Sequence, residues 1–357
     1  MLRSASCYLL LIFYISLNSS FGNPKQGREL ARAAELITLK PDMKEGKART
    51  TYLCEGLVNH WTLPLHGTLS PLLSGYNTGL KTGNIQDASL NQCFYVAHTY
   101  FAGLPLKDDV LNETSPLQIM NDIETFASVD KGDSRLDTHL ANHIHYLVSA
   151  KLRGIELEGM NFCGILKYCT DTSNEALRGY VYVAQVELKV FLGEWLEATN
   201  LLAEAGELLP SMVGLYQGVR YVFVYTLVYI KTAQSSTGHK RRKLKKKALK
   251  KMKIIRGWVK NGNVNCVHTL HLLEAELAIL DGSNDNKVVE KFKLAIEIAS
   301  KAKFLHDEAL SHELASMHFK SRGNQQQRGY HMENAIKSYT EWGATEKVSL
   351  LERGRLD

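Results

Sequence analysis

Proline is scarce, with seven in 357 residues, which fits a chain that is mostly helical. Cysteine is sparse as well. Cys7, Cys54, Cys93, Cys163, Cys169 and Cys266 are scattered without a compact framework, so a disulfide-stapled scaffold is disfavoured and buried free thiols in a reducing compartment are expected. The Cys163/Cys169 spacing matches no common metal pattern. No apolar run is long enough to cross a bilayer. The longest, Cys7 to Leu17, is instead suited either to a buried first helix or to the h-region of a signal peptide with cleavage after Gly22. Acidic residues are missing from one stretch: between Lys240 and Lys260 there are twelve Lys and Arg and no Asp or Glu. Since the whole chain holds 43 basic residues, 31 remain elsewhere against 37 acidic ones. The overall charge of +6 is therefore a local feature.

Catalytic signatures are also wanting. There is no G-x-S-x-G elbow, no kinase loop sequence and no recognisable histidine-kinase box. His312-Glu313-Leu-Ala-Ser316 begins like a zincin but puts Ser316 at the second ligand position, with His318 off that face. Gly75-Tyr-Asn-Thr-Gly79-Leu-Lys81-Thr82 suggests a phosphate loop, yet Leu80 and the short spacing break it, and no strand precedes it. His139 and His143 lie one helical turn apart, with His145 and Asp137 nearby, and are read as ordinary helix residues rather than ligands. No cofactor, metal or small-molecule substrate is expected.

Periodicity is what the chain does have. Leu273, Leu277 and Leu280 form one stripe, Phe292, Ala295, Ile296 and Ala299 a second, and Ala309, Leu310, Leu314 and Ala315 a third. Steps of three and four belong to amphipathic helices. Gly282 and Gly323, 41 residues apart, each end a helical pattern, and a period near 40 marks a helical repeat array. The hairpin from Gly193 to Pro210 is the clearest unit. Gly193 permits a left-handed cap, Trp195 fills the gap between helices, Ala198 and Ala205 suit a close crossing, and Pro210 is expected to stop the second helix. These positions resemble the second half of a tetratricopeptide repeat. Gly83 to Ala88 follows the same pattern, and Gly323 to Ala335 follows it in part, with Arg328 where a small residue is expected.

Taken in order, helices are expected over 27–42, 46–61, 68–80, 84–103, 136–152, 174–192, 195–209 and 213–232, with one more around Leu117–Phe126. The run from Val219 to Ile230 is β-branched, so a strand competes there, but its place in a helical array favours a buried helix. Gln234 to His239 reads as a loop. The basic stretch 240–260 carries Leu244, Ala248, Met252, Ile255 and Val259 on one face, which is expected to pack. Its opposite face presents Arg241, Arg242, Lys245, Lys246, Lys250 and Lys253, either as a solvated surface or as a site for an acidic partner, nucleic acid or lipid headgroups. Arg241 to Lys247 could equally serve as a nuclear address. The lack of interleaved aromatics other than Trp258 disfavours single-stranded nucleic acid.

A wider resemblance covers residues 27 to 352. Glu55-Gly-Leu-Val-Asn-His60-Trp61, Leu69-x-Pro71-Leu72-Leu73, Tyr76-x-x-Gly79-Leu80 and, most specifically, Tyr339-x-x-Trp342-Gly343-Ala344-x-x-Lys347-Val348 look like one family. It is the helical-repeat region that follows the AAA-type ATPase module in large serine/threonine kinase–sensor histidine kinase hybrids. The resemblance implies a signalling scaffold without catalytic activity of its own, whose partners are a protein or kinase/ATPase domains in cis or trans.

The expectation is thus an all-α, right-handed α-α superhelix of roughly seven tetratricopeptide-like pairs, forming a single domain over 23–357 after the apolar segment 1–22. Trp342 and the Lys347–Leu351 segment are expected to cap the last core layer, and Trp342 and Gly343 are taken as structural repeat positions. A cytoplasmic scaffold is the first reading. A secreted or luminal repeat protein, entering the secretory route through residues 1–22, is the alternative; Asn18 and Asn112 would be glycosylation acceptors only in that case.

Overall fold

The computed structural model of the chain describes residues 23–38, 46–106, 134–157 and 159–356. The 1–22 segment, both sequons and the expected Leu117–Phe126 helix lie outside these residues. Among the described residues there are fifteen α-helices and no strand. They are α1 Pro24–Thr38, α2 Lys47–Leu57, α3 Leu69–Lys81, α4 Ile85–Phe101, α5 Ser134–Leu152, α6 Phe162–Thr172, α7 Glu175–Leu192 and α8 Trp195–Ala205, then α9 Tyr216–Gln234, α10 Gly238–Lys260, α11 Val267–Leu280, α12 Asp285–Lys301, α13 Leu305–Ser321, α14 Gln325–Trp342 and α15 Thr345–Leu356.

Local chemistry sets these limits. α7 begins where the Asn174 side chain accepts a 3.0 Å hydrogen bond from the Leu177 amide, satisfying one of the orphan donors of the first turn. It ends where Gly193 turns to φ +79 and returns its amide to the last carbonyls. α14 repeats the device, from Asn324 at its start to Gly343 at φ +91. A side chain in that left-handed region would cost about 1 kcal/mol. Gly282 and Gly323 also adopt positive φ just past their helices, as the 41-residue spacing suggests.

Three features differ from expectation, while the β-branched run is the buried helix expected of it. α8 ends at Ala205 because Gly206 turns the chain away at φ +73, ψ −145; Pro210 comes later, in a 3₁₀ turn over Leu209–Met212, and terminates nothing. The loop before the basic helix shortens to Ser235–Thr237, since Gly238 and His239 already belong to α10. α6 was not foreseen; it is a short helix capped by Asn161 and closed by Ser173 at φ +54. The β-branched run is helical: α9 buries all but three of its residues.

The helices form two layers. In the inner one, α2, α4, α5, α7, α9, α11 and α13 touch in succession; α3, α6, α8, α10, α12 and α14 cover it from outside. One continuous apolar core runs from Trp61 to Ala344, and a small separate one joins Ala31 and Ala34 of α1 to Cys54 and Val58. The three apolar stripes enter the large core: Leu273, Phe292, Ala295, Ala309 and Leu314 are all at most 1% exposed. Contacts also reach beyond neighbouring hairpins. α15 packs on α5 and α7, the Leu106 amide donates to the Trp342 carbonyl at 2.7 Å, and the Thr345 hydroxyl donates to the Arg153 carbonyl at 2.9 Å. Asn265 closes the other end, accepting from the Leu65 amide at 2.9 Å and donating to the His60 and Leu63 carbonyls at 2.7 Å.

The would-be phosphate loop is a helix crossing. Gly75 and Gly79 sit within α3 against α4, where an added Cβ at Gly75 would lie 2.2 Å from Asn91 Oδ1. Asn91 cannot give way, because its Nδ2 donates at 2.8 Å to the carbonyls of both Ala48 and Asp87. Gly75→Ala is therefore expected to destabilise the fold by about 1–3 kcal/mol in thermal or urea unfolding, despite the better helix propensity of alanine. Gly46→Ala, where nothing stands within 4 Å, should stay within about 0.5 kcal/mol of the parent. Equal effects at the two positions would refute the crossing argument.

Candidate functional site

α10 divides its charge between two tasks. Its apolar face packs as expected, with Leu244, Ala248, Met252 and Ile255 buried and Val259 partly so. Along the flank facing α11, Arg241 donates to the Leu280 carbonyl, Lys245 pairs with Asp281, and Arg256 reaches Glu274 at 3.4 Å. Along the flank facing α9, Lys247 lies over the Tyr229 ring at 4.8 Å. Lys251 is buried there, donating to both Glu207 oxygens at 2.6 and 2.8 Å beneath the rings of Tyr221 and Tyr225. These five cations are structural ties.

The other seven, Lys240, Arg242, Lys243, Lys246, Lys250, Lys253 and Lys260, are exposed and have no ion-pair partner among the described residues. The six candidates from the sequence therefore separate: Arg241 and Lys245 belong to a flank, while Arg242, Lys246, Lys250 and Lys253 stand on the outer crest. Lys243 and Lys260 share that crest. Two of the flanking carboxylates, Glu274 and Glu207, are held ionised. Glu274 is pushed down to about 2, first by its hydrogen bond with His271 and then, against burial, by Lys291 and Arg256. Burial would raise Glu207, but Lys251 outweighs it and holds that carboxyl below its ordinary range.

The inner layer carries a second, unforeseen assembly. Arg220 of α9, 1% exposed, donates through Nε to Glu187 of α7 at 2.7 Å and through Nη1 to Asp307 of α13 at 2.7 Å. His268 of α11 completes it, with Nε2 2.8 Å from Asp307 Oδ2. Burial alone would raise the Asp307 carboxyl, but Arg220, His306 and His268 overcome it and hold Asp307 well below the carboxylate range. Glu187 shifts the other way: burial raises it and Arg220 only partly compensates. One guanidinium serves two carboxylates, and Asp307 has the further support of two imidazoles. The sequence signal was a lone arginine inside an apolar helix, a residue type almost never buried without a partner.

Further polar ties cross the layers. Lys231 and Gln234 both bond Glu276, at 3.1 and 2.7 Å. Lys347 and Tyr339 share Glu313, at 2.6 and 2.8 Å. Of the repeat positions, Ala198 and Ala205 of α8 are buried, Trp195 is half-buried under Lys231, and Trp342 is fully buried. Trp342 does more than cap a last layer, because its ring meets Phe191 of α7 at 5.0 Å and His306 of α13 at 5.3 Å.

Of the three histidines of α5, His139 is partly exposed and the other two are buried. His143 is buried with Nε2 2.7 Å from the Met160 carbonyl, and His145 is buried among Tyr100, Phe101 and Tyr180. Among the described residues, no three His, Cys, Asp or Glu side chains gather at metal-binding distance, and no helix is long and apolar enough to cross a membrane. Cys54, Cys93, Cys169 and Cys266 are buried free thiols and Cys163 is an exposed one. An open groove of about 450 Å³ lies between the Gly103–Pro105 link, the α12–α13 turn and α14, with Lys303, Lys337, Glu308 and Glu341 on its walls. Its charges balance and it selects no ligand class. No family model, no curated protein and no solved structure matches the chain.

Proposed function

We propose that the chain is a non-catalytic scaffold of a signalling assembly, with tetratricopeptide-like pairs wound as a right-handed superhelix. Its relatives in this reading are the repeat regions of ATPase/histidine-kinase hybrids, and its place is the cytoplasm. The observation that carries it is the packing of the most specific resembling motif. Tyr339, Trp342 and Ala344 are fully buried, Lys347 is 2% exposed, and Gly343 adopts φ +91. Together they join α13, α14 and α15 to the inner layer, so the spacing of that motif has a physical cause that a homologous array would share. A consequence for docking follows. The inner surface, which open repeat arrays offer to ligands, is filled here by Arg220, Asp307 and their neighbours. Partners would therefore meet the outer helices and the inter-helix turns.

The test is purification of the tagged chain from its own cells, with identification of stoichiometric partners and of the mature N-terminus. A co-purifying polypeptide with kinase or ATPase domains, together with an intact N-terminus, is expected. A chain beginning near Asn23 and accompanied by luminal or extracellular proteins would overturn the proposal in favour of the secreted alternative.

A further inference from the structure

The crest of α10 presents a row of exposed cations with no acidic residue among them. Lys243, Lys246, Lys250, Lys253 and Lys260 follow one another at steps of three, four, three and seven residues, which places them along one stripe of the helix, within an arc of about 100°. At 1.5 Å per residue that stripe is about 25 Å long. All five are exposed. Cations of this density repel one another and contribute nothing to the fold, while the five on the flanks already anchor the helix.

From the charge pattern we propose that this crest rests on the anionic surface of a lipid membrane, through electrostatic contact with phosphate-bearing or carboxylate-bearing headgroups. Two features select a flat anionic surface over a nucleic-acid duplex. First, the ligand-facing cations lie within an arc of about 100° on one face of the helix, and their long flexible stems let a plane meet all of them at once. Second, both flanks carry carboxylates: Glu207 is 55% exposed on one side, and Asp281 and Glu274 are 37% and 22% exposed on the other. A duplex groove wrapping the helix would bring its phosphates onto those acids, whereas a plane touching only the crest avoids them. The mode of contact follows from composition. No large apolar side chain stands on the crest line, and Trp258 is engaged with Trp61 at 5.3 Å. The helix therefore cannot insert in the manner of an amphipathic anchor. It would lie on the headgroups, held by charge and released by salt. This inference stands on α10 alone and does not depend on the scaffold reading.

The test uses the full chain in flotation with three probes: vesicles of equal parts phosphatidylserine and phosphatidylcholine, vesicles of pure phosphatidylcholine, and a duplex DNA fragment in a gel-shift assay. Binding is expected to the phosphatidylserine vesicles only, weakening steadily as salt rises, with no blue shift of tryptophan emission. A lysine near an anionic leaflet is worth about a factor of five in affinity. Replacing Lys243, Lys246, Lys250 and Lys253 by Gln should therefore weaken vesicle binding by more than about a hundredfold, with unchanged circular dichroism and melting because the side chains are exposed. Failure of the parent chain to float with phosphatidylserine, or undiminished binding by the fourfold variant, would overturn the proposal. Binding to duplex DNA as tight as to the vesicles would overturn the choice of a lipid surface.

Discussion

Arg220→Ala is expected to destabilise the protein by about 3–5 kcal/mol, because it strands two buried carboxylates and their histidine without a cation. Glu187 and Asp307 are at most 1% exposed and stand on different helices, so neither can relax into water. Global stability is typically about 5–15 kcal/mol, so this one change would consume a large share of it. The denaturant midpoint should fall with little change in slope. The cost is that of leaving charges unpaired rather than the net worth of the ion pairs, and a second variant separates the two. In Arg220→Met combined with Glu187→Gln and Asp307→Asn, no isolated charge is left behind. The triple variant should be more stable than Arg220→Ala alone, a strongly non-additive outcome. A single variant within about 1 kcal/mol of the parent, or a triple variant worse than the single one, would refute this account. On α10 the comparison is instructive. Lys245 and Asp281 are 36% and 37% exposed, and breaking that pair should cost well under 1 kcal/mol in physiological salt.

Arg220 also marks the limit of what the sequence conveys. Helix type, the buried character of α9 and the packing face of α10 were all legible, because each depends on local periodicity and on which side chains avoid water. Gly193 announced its left-handed cap for the same local reason. What periodicity does not carry is which helices meet. Glu187, Arg220, His268 and Asp307 lie on four helices, and only the tertiary arrangement brings them together. A lone arginine inside an apolar run says that a buried partner exists, but not that it lies on α7 and α13. Pro210 misled in the opposite direction: it is a strong breaker, but Gly206 had already turned the chain. On the basic helix, composition gave the charge but not its division. Lys245 and Lys246 are neighbours in sequence, yet one faces Asp281 and the other faces solvent. α6 carries an apolar stripe of Phe162, Ile165, Leu166 and Cys169 that is only three turns long and easily passed over, and Asn161 at its cap was a further local signal.

Stability should pass through a maximum near pH 6.5 and fall steeply below about pH 5, because buried neutral histidines must charge on acidification. His60 and His145 are buried to 4% exposure or less. Burial lowers His60 to about 4, offset in part by its contact with the Gly214 carbonyl, and lowers His145 to about 3. Both imidazoles take up protons at their ordinary pKa in the unfolded chain, but not in the folded one. Their contribution is therefore fully present above about pH 6.5 and is lost as pH falls through the folded values. Each costs up to about 1.4 kcal/mol per pH unit, or about 3 kcal/mol by pH 4. Glu55 acts in the other sense. Burial, and then the charge of Glu35, raise it to about 8, so its contribution is present below its ordinary range and lost as pH rises towards 8. Between pH 4.5 and 6.5 these two histidines, joined by His98, His306 and His312, which burial lowers likewise, outweigh Glu55, and the net effect of acid is destabilising; above 6.5 the loss at Glu55 runs the other way. His145 offers the cleanest check, since neither ring nitrogen has a hydrogen-bond partner and three aromatic rings surround it. His145→Phe should leave stability at pH 7 unchanged or raised and make the fall below pH 6 shallower by one proton. Urea midpoints measured across pH 4–8 for both chains decide the matter: if the two curves run parallel, His145 is not among the groups that charge on unfolding.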